Sequence, residues 1–386
     1  MAIRSPLDAR HRSLGATMTE FAGWTMPVRY GSEIAEHQAV RTGAGLFDLS
    51  HMGEIYVTGP GAADALDYAL VSRIDAIEIG GAKYTMLCAA DGGVLDDLVV
   101  YRTASDSFLV VANAANVKPA VRELRARCAG FDCKVTDASL TTALIAIQGP
   151  GSFDVVKAMI GSRASVDPTQ MGYYTCAEVD IDGWIHARLA RTGYTGEAGF
   201  EIFVSVADAE AVWDFALSAG AGEWLVPCGL AARDTLRLEA GMPLYGYELT
   251  RSTTPFQASL GRVVHLGDAS NPRGNFVGKE ALQAAHDRYR AAEESPAEAP
   301  ADARVLVGLV GEGKRAARSG YEVLDENGEP VGSITSGAVS PTLDHPIAMA
   351  LVHPRVSTAG TALTVDVRGR QLPMAVTPLP FYRRSQ

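Results

Sequence analysis

The feature that most constrains the fold is a short segment that occurs twice. Residues 55–61, Ile-Tyr-Val-Thr-Gly-Pro-Gly, precede an apolar pattern with helical spacing over residues 62–71. Residues 145–151, Ile-Ala-Ile-Gln-Gly-Pro-Gly, precede a similar pattern over residues 152–160, and an aspartate follows at the same offset in both copies. Each copy predicts a strand, a tight turn and a helix, with proline at an early helix position that it favours. Two copies of one β–α unit indicate two related half-structures; chance similarity of two short segments is the alternative at this point.

The segments between and after the two copies mix strands and helices without a strict alternation. A hairpin is predicted around Asp91-Gly-Gly93, with strands at 84–89 and 94–101. Later apolar patterns predict helices at 208–219 and 230–240. Such a mixture is typical of an α+β protein.

The last part of the chain has a different character. Residues 284–303 are rich in Ala, Glu and Pro, and we expect the tail of a helix followed by a linker. Short apolar segments with Gly or Pro breaks then follow at 305–310, 321–324, 331–335, 348–352, 362–367 and 374–376. They indicate a small β-barrel or sandwich as a separate domain.

The bulk properties exclude several classes of protein. A length of 386 residues allows two or three domains. The net charge of −11 argues against a nucleic-acid-binding surface, so an anionic ligand would need locally placed cations. Five cysteines without a CxxC pair are typical of reduced thiols in a cytoplasm. No apolar segment has the length of a secretory signal or of a membrane span.

Several catalytic motifs fail on inspection. Residues 308–314 have the glycine and lysine spacing of a P-loop, but Arg315 stands where a Mg²⁺-binding Ser or Thr is needed and no helix follows. The eight histidines contain no HExxH motif, and there is no GxSxG. For the lone His51 we favour a structural or hydrogen-bonded role over that of a metal ligand. The sequence thus carries no metal, NAD or serine-hydrolase signature.

Two adjacent carboxylates lie inside the second strand of the predicted hairpin. Asp96 and Asp97 interrupt the apolar run Val94–Tyr101. Neighbouring residues of a strand point to opposite faces, so the two side chains cannot share one face. Burial of an unpaired carboxylate is costly. Either both carboxylates lie near solvent at the start of the strand, or one of them faces a cleft in which it has a functional role.

A glycine-rich loop is the other candidate site. Residues 191–201, Arg-Thr-Gly-Tyr-Thr-Gly-Glu-Ala-Gly-Phe-Glu, contain three glycines ahead of a predicted strand, which indicates a close approach of the backbone to another group. Tyr194 offers an aromatic face, and Glu201 offers a carboxylate that accepts two parallel N–H bonds. A tight hairpin with a solvated glutamate is the alternative.

This loop resembles a signature of the T-protein of the glycine cleavage system, the folate-dependent aminomethyltransferases. The resemblance extends over the whole chain, at FAGWTMPVRYGS (21–32), VRTGAGLFDLSHMGE (40–54), GGVLDDLVVY (92–101), LIAIQGPG (144–151), CGLAARDTLRLEAGMPLYG (228–246), ITSGAVSPTLDHPIAMALV (334–352) and PFYRR (380–384). The departure is the segment near 290–303, which is longer than the resemblance leads us to expect.

The resemblance implies an α+β cloverleaf of three domains, with two ferredoxin-like halves and a C-terminal β-barrel around a folate-binding channel. We expect residues 1–50 and 138–240 in the first half and residues 51–137 and 241–290 in the second. Residues 291–303 would be a linker, and residues 304–386 would form the barrel.

The resemblance also implies the reaction. The lipoyl-bearing H-protein would present an aminomethyl group on sulfur. The enzyme would pass the one-carbon unit to tetrahydrofolate as co-substrate, releasing ammonia and forming 5,10-methylenetetrahydrofolate. We expect no metal cofactor and no nucleic-acid or membrane partner, and we expect the protein to be located in the cytoplasm.

The matched motifs assign roles to single residues. By the resemblance Asp97 is the catalytic carboxylate, which leaves Asp96 on the opposite, solvated face. Glu201 would bind the amino-amide edge of the pterin, with Arg233 nearby. The remaining expected contacts are an aromatic slot formed by Tyr84, Tyr173 and Tyr194, cofactor contacts from Met52 and Asn113, and Arg383 reaching back toward the channel.

Related proteins leave other functions open. Folate-dependent demethylases acting on sulfonium compounds share this fold family, and a folate-binding regulator without turnover is the alternative that is not an enzyme. The folate half of sarcosine-type oxidases is joined to an N-terminal flavin domain, which we do not find in this sequence. A branch tied to iron–sulfur assembly carries a Lys-Gly-Cys-Tyr type motif, whereas the corresponding loop here, 191–196, has no cysteine.

Overall fold

The computed structural model describes residues 2–161, 166–220, 225–268 and 270–384. The chain forms two compact units. The first comprises Met1–Leu66, Ile74–Tyr84 and Leu98–Leu236, and the second comprises Asp67–Arg73, Thr85–Asp97 and Arg237–Gln386. Among the described residues, no helix combines the length and the apolar character needed to cross a membrane.

The helices in the described ranges are α1 (Asp8–Ser13), α2 (Glu33–Thr42), α3 (Ala62–Ala69), α4 (Val117–Cys128), α5 (Ser152–Ile160), α6 (Ala209–Ala219), α7 (Leu230–Glu239) and α8 (Lys279–Glu294). The strands of the first half of the chain are β1 (Ile3–Arg4), β2 (Thr17–Phe21), β3 (Trp24–Arg29), β4 (Ala44–Asp48), β5 (Gly53–Thr58), β6 (Ala82–Cys88), β7 (Val94–Ala104), β8 (Ser107–Ala112), β9 (Lys134–Asp137) and β10 (Thr142–Gln148). The later strands are β11 (Cys176–Ile181), β12 (Ile185–Ala190), β13 (Gly199–Ser205), β14 (Leu225–Pro227), β15 (Val305–Gly311), β16 (Glu322–Leu324), β17 (Pro330–Val339), β18 (Pro346–Val352), β19 (Ala362–Asp366) and β20 (Gln371–Thr377).

The repeated turn is built in the same way in both copies. The first glycine has a φ of +126° at Gly59 and +127° at Gly149, a conformation that L side chains rarely adopt. A Cβ there would lie 2.6 Å from Asp132 O in the first copy and 2.4 Å from Gly43 O in the second. The last glycine of each turn donates its N–H to that same carbonyl, Gly61 to Asp132 O and Gly151 to Gly43 O, at 2.9 Å in both copies. The Gly-Pro-Gly sequence is therefore required by a close approach of two backbone segments.

The sheets confirm that the two halves are related. One sheet has the order β6-β7-β8-β5-β9, and the other has the order β11-β12-β13-β10-β4-β14. In the first sheet the strand before the turn is β5, which lies between β8 and β9. In the second sheet it is β10, which lies between β13 and β4, with β14 beyond β4 at the edge. In both sheets the strand before the turn therefore pairs with the third strand that follows it in the chain. The boundary between the two compact units passes through β6 and β7, whose residues 85–88 and 94–97 belong to the second unit.

The core of the first unit lies on both faces of the six-stranded sheet. Along β10, Ala143, Ile145 and Ile147 face a cluster that includes α5 and α6. Leu144 and Ala146 face a second cluster, which includes residues of β7, β8 and α7. Burial on both faces explains why β10 reads as a continuous apolar run.

The C-terminal strands close into a barrel with the order β15-β18-β17-β16-β19-β20. Their pattern allowed a barrel or a sandwich, and the resemblance implied the barrel. Inward-facing residues such as Leu309, Val323 and Val365 are fully buried. In the P-loop-like segment, Gly308 and Gly311 lie in β15, where they pair with neighbouring strands. Before the barrel, α8 extends to Glu294 and a 3₁₀ turn, Pro296–Glu298, follows.

Candidate functional site

Glu201 lies in a central strand, and two hydroxyl groups contact one of its oxygens. In β13 it stands opposite Ala190 on one side and Ala146 on the other, where small side chains leave room. Thr192 Oγ1 donates a short hydrogen bond to Glu201 Oε2, and Tyr101 Oη lies 3.2 Å from the same oxygen. The two hydroxyl oxygens are 2.9 Å apart. Glu201 is partly exposed, and among the described residues none donates to its Oε1.

The Tyr101 hydroxyl is held in its protonated form. Its pKa is raised well above the usual value because the side chain is fully buried, and the negative charge of Glu201 adds to the shift. Its ring packs edge-on against Phe203, with centroids 5.5 Å apart. Tyr101 is therefore a rigid donor at neutral pH.

Two glycines of the glycine-rich segment 191–201 allow it to enclose the amide side chain of Gln148. A Cβ on Gly193 would lie 2.0 Å from Gln148 Oε1, and a Cβ on Gly199 would lie 2.3 Å from Gln148 Nε2. That amide donates to the carbonyls of Thr192 at 3.1 Å and Phe200 at 3.3 Å. The glycine pattern that indicated a close approach thus has a structural cause in Gln148.

A buried ion pair holds the other end of the loop. Arg41 Nη1 lies 3.0 Å from Glu197 Oε1, and the two side chains are 6% and 5% exposed. The same guanidinium nitrogen donates to the carbonyl of Thr195 at 2.8 Å. These contacts come from α2, so they determine where the loop presents Tyr194.

Tyr194, Arg233 and His51 lie together. The Arg233 guanidinium lies over the Tyr194 ring, 4.7 Å from its centroid, a cation–π geometry. Burial, followed by the charge of Arg233, lowers the pKa of His51 to about 4, against a smaller opposing effect of Asp48. His51 is therefore neutral at pH 7. Its Nδ1 is buried without a hydrogen-bond partner among the described residues, and its burial agrees with the structural role that we favour.

The other expected contacts in the first unit are placed as follows. Met52 packs against the buried cluster that includes Tyr101. Asn113 directly follows β8, and its carbonyl accepts from Asn116 N at 2.8 Å. Tyr84 is partly buried in β6. Tyr173 is 52% exposed and stacks edge-on with Tyr174.

Of the two carboxylates of β7, Asp96 differs from expectation. Exposure alternates along this strand as the pleat requires, with Val94, Asp96 and Leu98 buried and Leu95 and Asp97 partly exposed. The prediction that Asp96 is solvated is wrong, since it is fully buried. The reason lies in the packing of the strand, because the face that carries Asp96 with Val94, Leu98 and Val100 is the buried one. Asp97 lies on the more open face, and its catalytic role stays a prediction.

A tyrosine that the sequence did not single out lies beside this pair. Tyr245 Oη donates to the Val94 carbonyl at 3.2 Å. Its pKa is raised, first by burial and then by the charge of Asp96, with Arg251 opposing and Asp97 adding to the shift. Only the fold brings residue 245 to this strand, and no spacing in the sequence indicates it. Arg383, also in the second unit, is exposed in the segment after β20.

Tyr101, Thr192 and the Arg41–Glu197 pair are functional candidates that the sequence interpretation missed. A signal was available for two of them. Thr192 is the second residue of the glycine-rich loop, and Tyr101 shares a face of β7 with Asp97 by the alternation of the strand. In the described ranges, no group of three or more His, Cys, Asp and Glu side chains is arranged to hold a metal ion.

Comparison with known proteins identifies the family. Residues 7–268 match the model of the GCVT N-terminal domain, and residues 304–383 match that of the glycine cleavage T-protein C-terminal barrel domain. An aminomethyltransferase of Streptomyces avermitilis is 55% identical over 381 residues, with 98% of this chain and 97% of that protein covered. One from Cutibacterium acnes is 51% identical over 386 residues, with 99% of each covered. The crystal structure of glycine cleavage system aminomethyltransferase T from Bartonella henselae has a TM-score of 0.85 and 34% identity, covering 99% of this chain and 98% of that one. With two family models and full-length relatives in agreement, this chain belongs to the glycine cleavage T-protein family of aminomethyltransferases.

Proposed function

We propose that this enzyme takes the one-carbon unit of an aminomethyl group from the dihydrolipoyl arm of H-protein and passes it to tetrahydrofolate. Ammonia is released, and the product is 5,10-methylenetetrahydrofolate. Membership of the family along the whole chain supports the reaction. The observation that carries the co-substrate is Glu201, an acceptor held by two buried hydroxyls with its second oxygen unused by the described residues.

Glu201 suits the recognition of a pterin. The amino-amide edge of that ring presents two adjacent N–H donors, and a carboxylate is the complementary acceptor. Tyr194, fixed by the Arg233 guanidinium 4.7 Å from its ring centroid, offers a flat surface for a heterocycle. We assign further contacts with the co-substrate to Tyr84, Tyr173, Met52 and Asn113.

Asp97 is our candidate for the catalytic carboxylate. Tetrahydrofolate attacks an iminium-like carbon, and a proton leaves the attacking nitrogen. A carboxylate next to that nitrogen orients it and stabilises the positive charge that develops. The support from the structure is the partial exposure of Asp97 on β7, in contrast to the full burial of Asp96.

Other features support the wider setting. All five cysteines are free thiols, in keeping with the reducing cytoplasm that we propose as the location. The net charge of −11 favours small molecules and a carrier protein over nucleic acid or an anionic membrane. We also propose Arg383 as a co-substrate contact. We also propose the division into halves, residues 1–50 with 138–240 and 51–137 with 241–290. The strand membership of the two sheets supports the separation of 51–137 from 1–50 and 138–240.

One assay tests the reaction. The purified protein is incubated with aminomethylated lipoyl H-protein, and ammonia release is followed with and without tetrahydrofolate. We expect release that depends on tetrahydrofolate, with one methylenetetrahydrofolate formed per ammonia. Demethylation of a methyl sulfonium compound instead would identify a demethylase. Binding of tetrahydrofolate without turnover of either substrate would identify a regulator.

A further inference from the structure

The carboxylate of Glu201 is held asymmetrically. Both neighbouring hydroxyls contact Oε2, whereas no described residue donates to Oε1. Thr192 has a single proton and donates it to Oε2. Tyr101 is therefore the donor toward both Thr192 Oγ1, at 2.9 Å, and Glu201 Oε2, at 3.2 Å. The three groups form a chain in which each donor polarises the next one.

The two donors are rigid parts of the core. Thr192 is 3% exposed and Tyr101 is 1% exposed. The Thr192 carbonyl is bound by the Gln148 amide at 3.1 Å, and the Tyr101 ring packs against Phe203. Donors with so little freedom lose little entropy when they fix an acceptor. Glu201 is partly exposed, so its Oε1 lies on the side of the carboxylate that the two buried hydroxyls leave open.

We propose that Tyr101 and Thr192 are positioning residues that restrain Glu201 through Oε2 and so direct Oε1 toward the bound co-substrate. This inference rests on the proposed function, because it takes Glu201 as the group that binds the pterin edge. A carboxylate oxygen has two lone pairs, so Oε1 accepts an N–H bond from the amino-amide edge while Oε2 holds the hydroxyls. The two hydroxyls therefore decide which oxygen recognises the ligand and in which direction.

The test removes one hydroxyl at a time. Thr192→Val keeps the shape and deletes the donor, Thr192→Ser keeps the donor, and Tyr101→Phe keeps the ring. Tetrahydrofolate binding is measured by fluorescence titration, and kcat and KM are measured with aminomethylated H-protein. We expect Thr192→Val to raise the Kd and the KM for tetrahydrofolate about tenfold, the effect of losing a hydrogen bond to a charged group. Tyr101→Phe should raise them about threefold to tenfold. We expect kcat at saturation to stay near the wild-type value in both variants, and Thr192→Ser to restore binding.

A matched control separates positioning from general damage to the core. Tyr30 is a tyrosine of the same unit whose hydroxyl bonds to His11 Nδ1 at 2.8 Å. Tyr30→Phe deletes the same atom away from Glu201, so it should leave the Kd unchanged. Thermal unfolding of each variant verifies that it is folded, and if Tyr101→Phe is unstable the Thr192 pair decides alone.

Three outcomes count against the proposal. An unchanged Kd in Thr192→Val shows that the hydroxyls only fill the core. A lower Kd in Tyr101→Phe shows that Tyr101 competes with the ligand for Oε2. Equal losses in Thr192→Val and Thr192→Ser show that packing is what matters. If the wild-type protein does not bind tetrahydrofolate at all, the proposed function fails instead.

Discussion

At the scale of single residues, adjacent carboxylates in β7 have opposite environments. Asp96 is fully buried on one face, and Asp97 is partly exposed on the other face. Burial makes Asp96 a poor control for the catalytic role of Asp97, because its neutralisation would also change the stability of the fold. Asp91, at the turn of the same hairpin, is the better comparison, since its ion pair with Arg251 is exposed on both sides.

We predict that Asp97→Asn folds and lowers kcat by about 10²–10³, the effect of removing one electrostatic group from a transition state. The Kd for tetrahydrofolate should change by less than about threefold, since the amide keeps the size of the side chain. The ammonia-release assay gives kcat, and a fluorescence titration gives the Kd. Asp91→Asn should retain near-normal turnover, because the ion pair that it weakens is exposed to solvent and screened. Near-normal turnover in Asp97→Asn would rule out the assignment.

Glu54 is a buried carboxyl that the proposed reaction does not use. It is fully buried in β5, and neither of its oxygens has a partner among the described residues. Burial, followed by the charge of Asp137, raises its pKa well above the usual value. The folded state therefore keeps a proton that the unfolded state releases above about pH 4.5. The free energy of unfolding falls as the pH rises from there toward the folded pKa.

Glu54→Gln removes that dependence, because an amide does not ionise. We predict that the variant gains stability relative to the wild type as the pH is raised from 5 to 8, by about 1 kcal/mol or more at pH 8. Thermal unfolding at several pH values measures the difference in Tm. Glu33→Gln, at an exposed position of α2, should show no such trend. A difference in Tm that does not change with pH would contradict the explanation.

At the scale of elements, the two Gly-Pro-Gly turns depend on backbone that only glycine tolerates. Gly149 combines a φ of +127° with a carbonyl 2.4 Å from the position of a Cβ. Gly149→Ala should therefore lower the free energy of unfolding by about 1–3 kcal/mol or more. Gly130→Ala is the matched control, because nothing lies within 4 Å of a Cβ at that position. Urea unfolding of both variants tests the prediction, and equal midpoints would refute it.

The loop that carries Tyr194 depends on a buried ion pair. Removing one charge leaves the other unpaired in the interior, so Arg41→Met should cost about 3–5 kcal/mol. The double variant Arg41→Met/Glu197→Gln should recover part of that loss, because no isolated charge remains. Both should weaken tetrahydrofolate binding, since the loop loses its anchor. A double-mutant cycle on unfolding and on the Kd measures both effects. Additive losses would show that the two side chains do not interact.

At the scale of the whole molecule, the net charge of −11 determines how the affinity for an anionic co-substrate depends on salt. The protein has no excess of cations, so salt screens the repulsion between its acidic groups and the anionic co-substrate as much as the attraction by its basic groups. We predict that the Kd for tetrahydrofolate changes by less than about threefold between 50 and 200 mM salt. Titrations across that range measure it. A steep rise of the Kd with salt would instead reveal a local cluster of cations on the glutamate tail.

The family resemblance implied that the C-terminal strands close into a barrel, because their pattern alone allowed a sandwich as well. The α+β architecture, the internal repeat and the short C-terminal strands follow from the sequence itself. They depend on local patterns, namely apolar periodicity and glycines at positions that require positive φ, which the chain carries whatever surrounds it. The candidate residues Asp97, Glu201 and Tyr194 were also within reach, because they lie in motifs. Only the tertiary structure decided that Asp96 is buried, that Tyr101 and Thr192 hold one oxygen of Glu201, and that Tyr245 lies beside the β7 carboxylates. Those contacts join residues up to about 150 positions apart, and the register of strands that sets them is a property of the folded sheets.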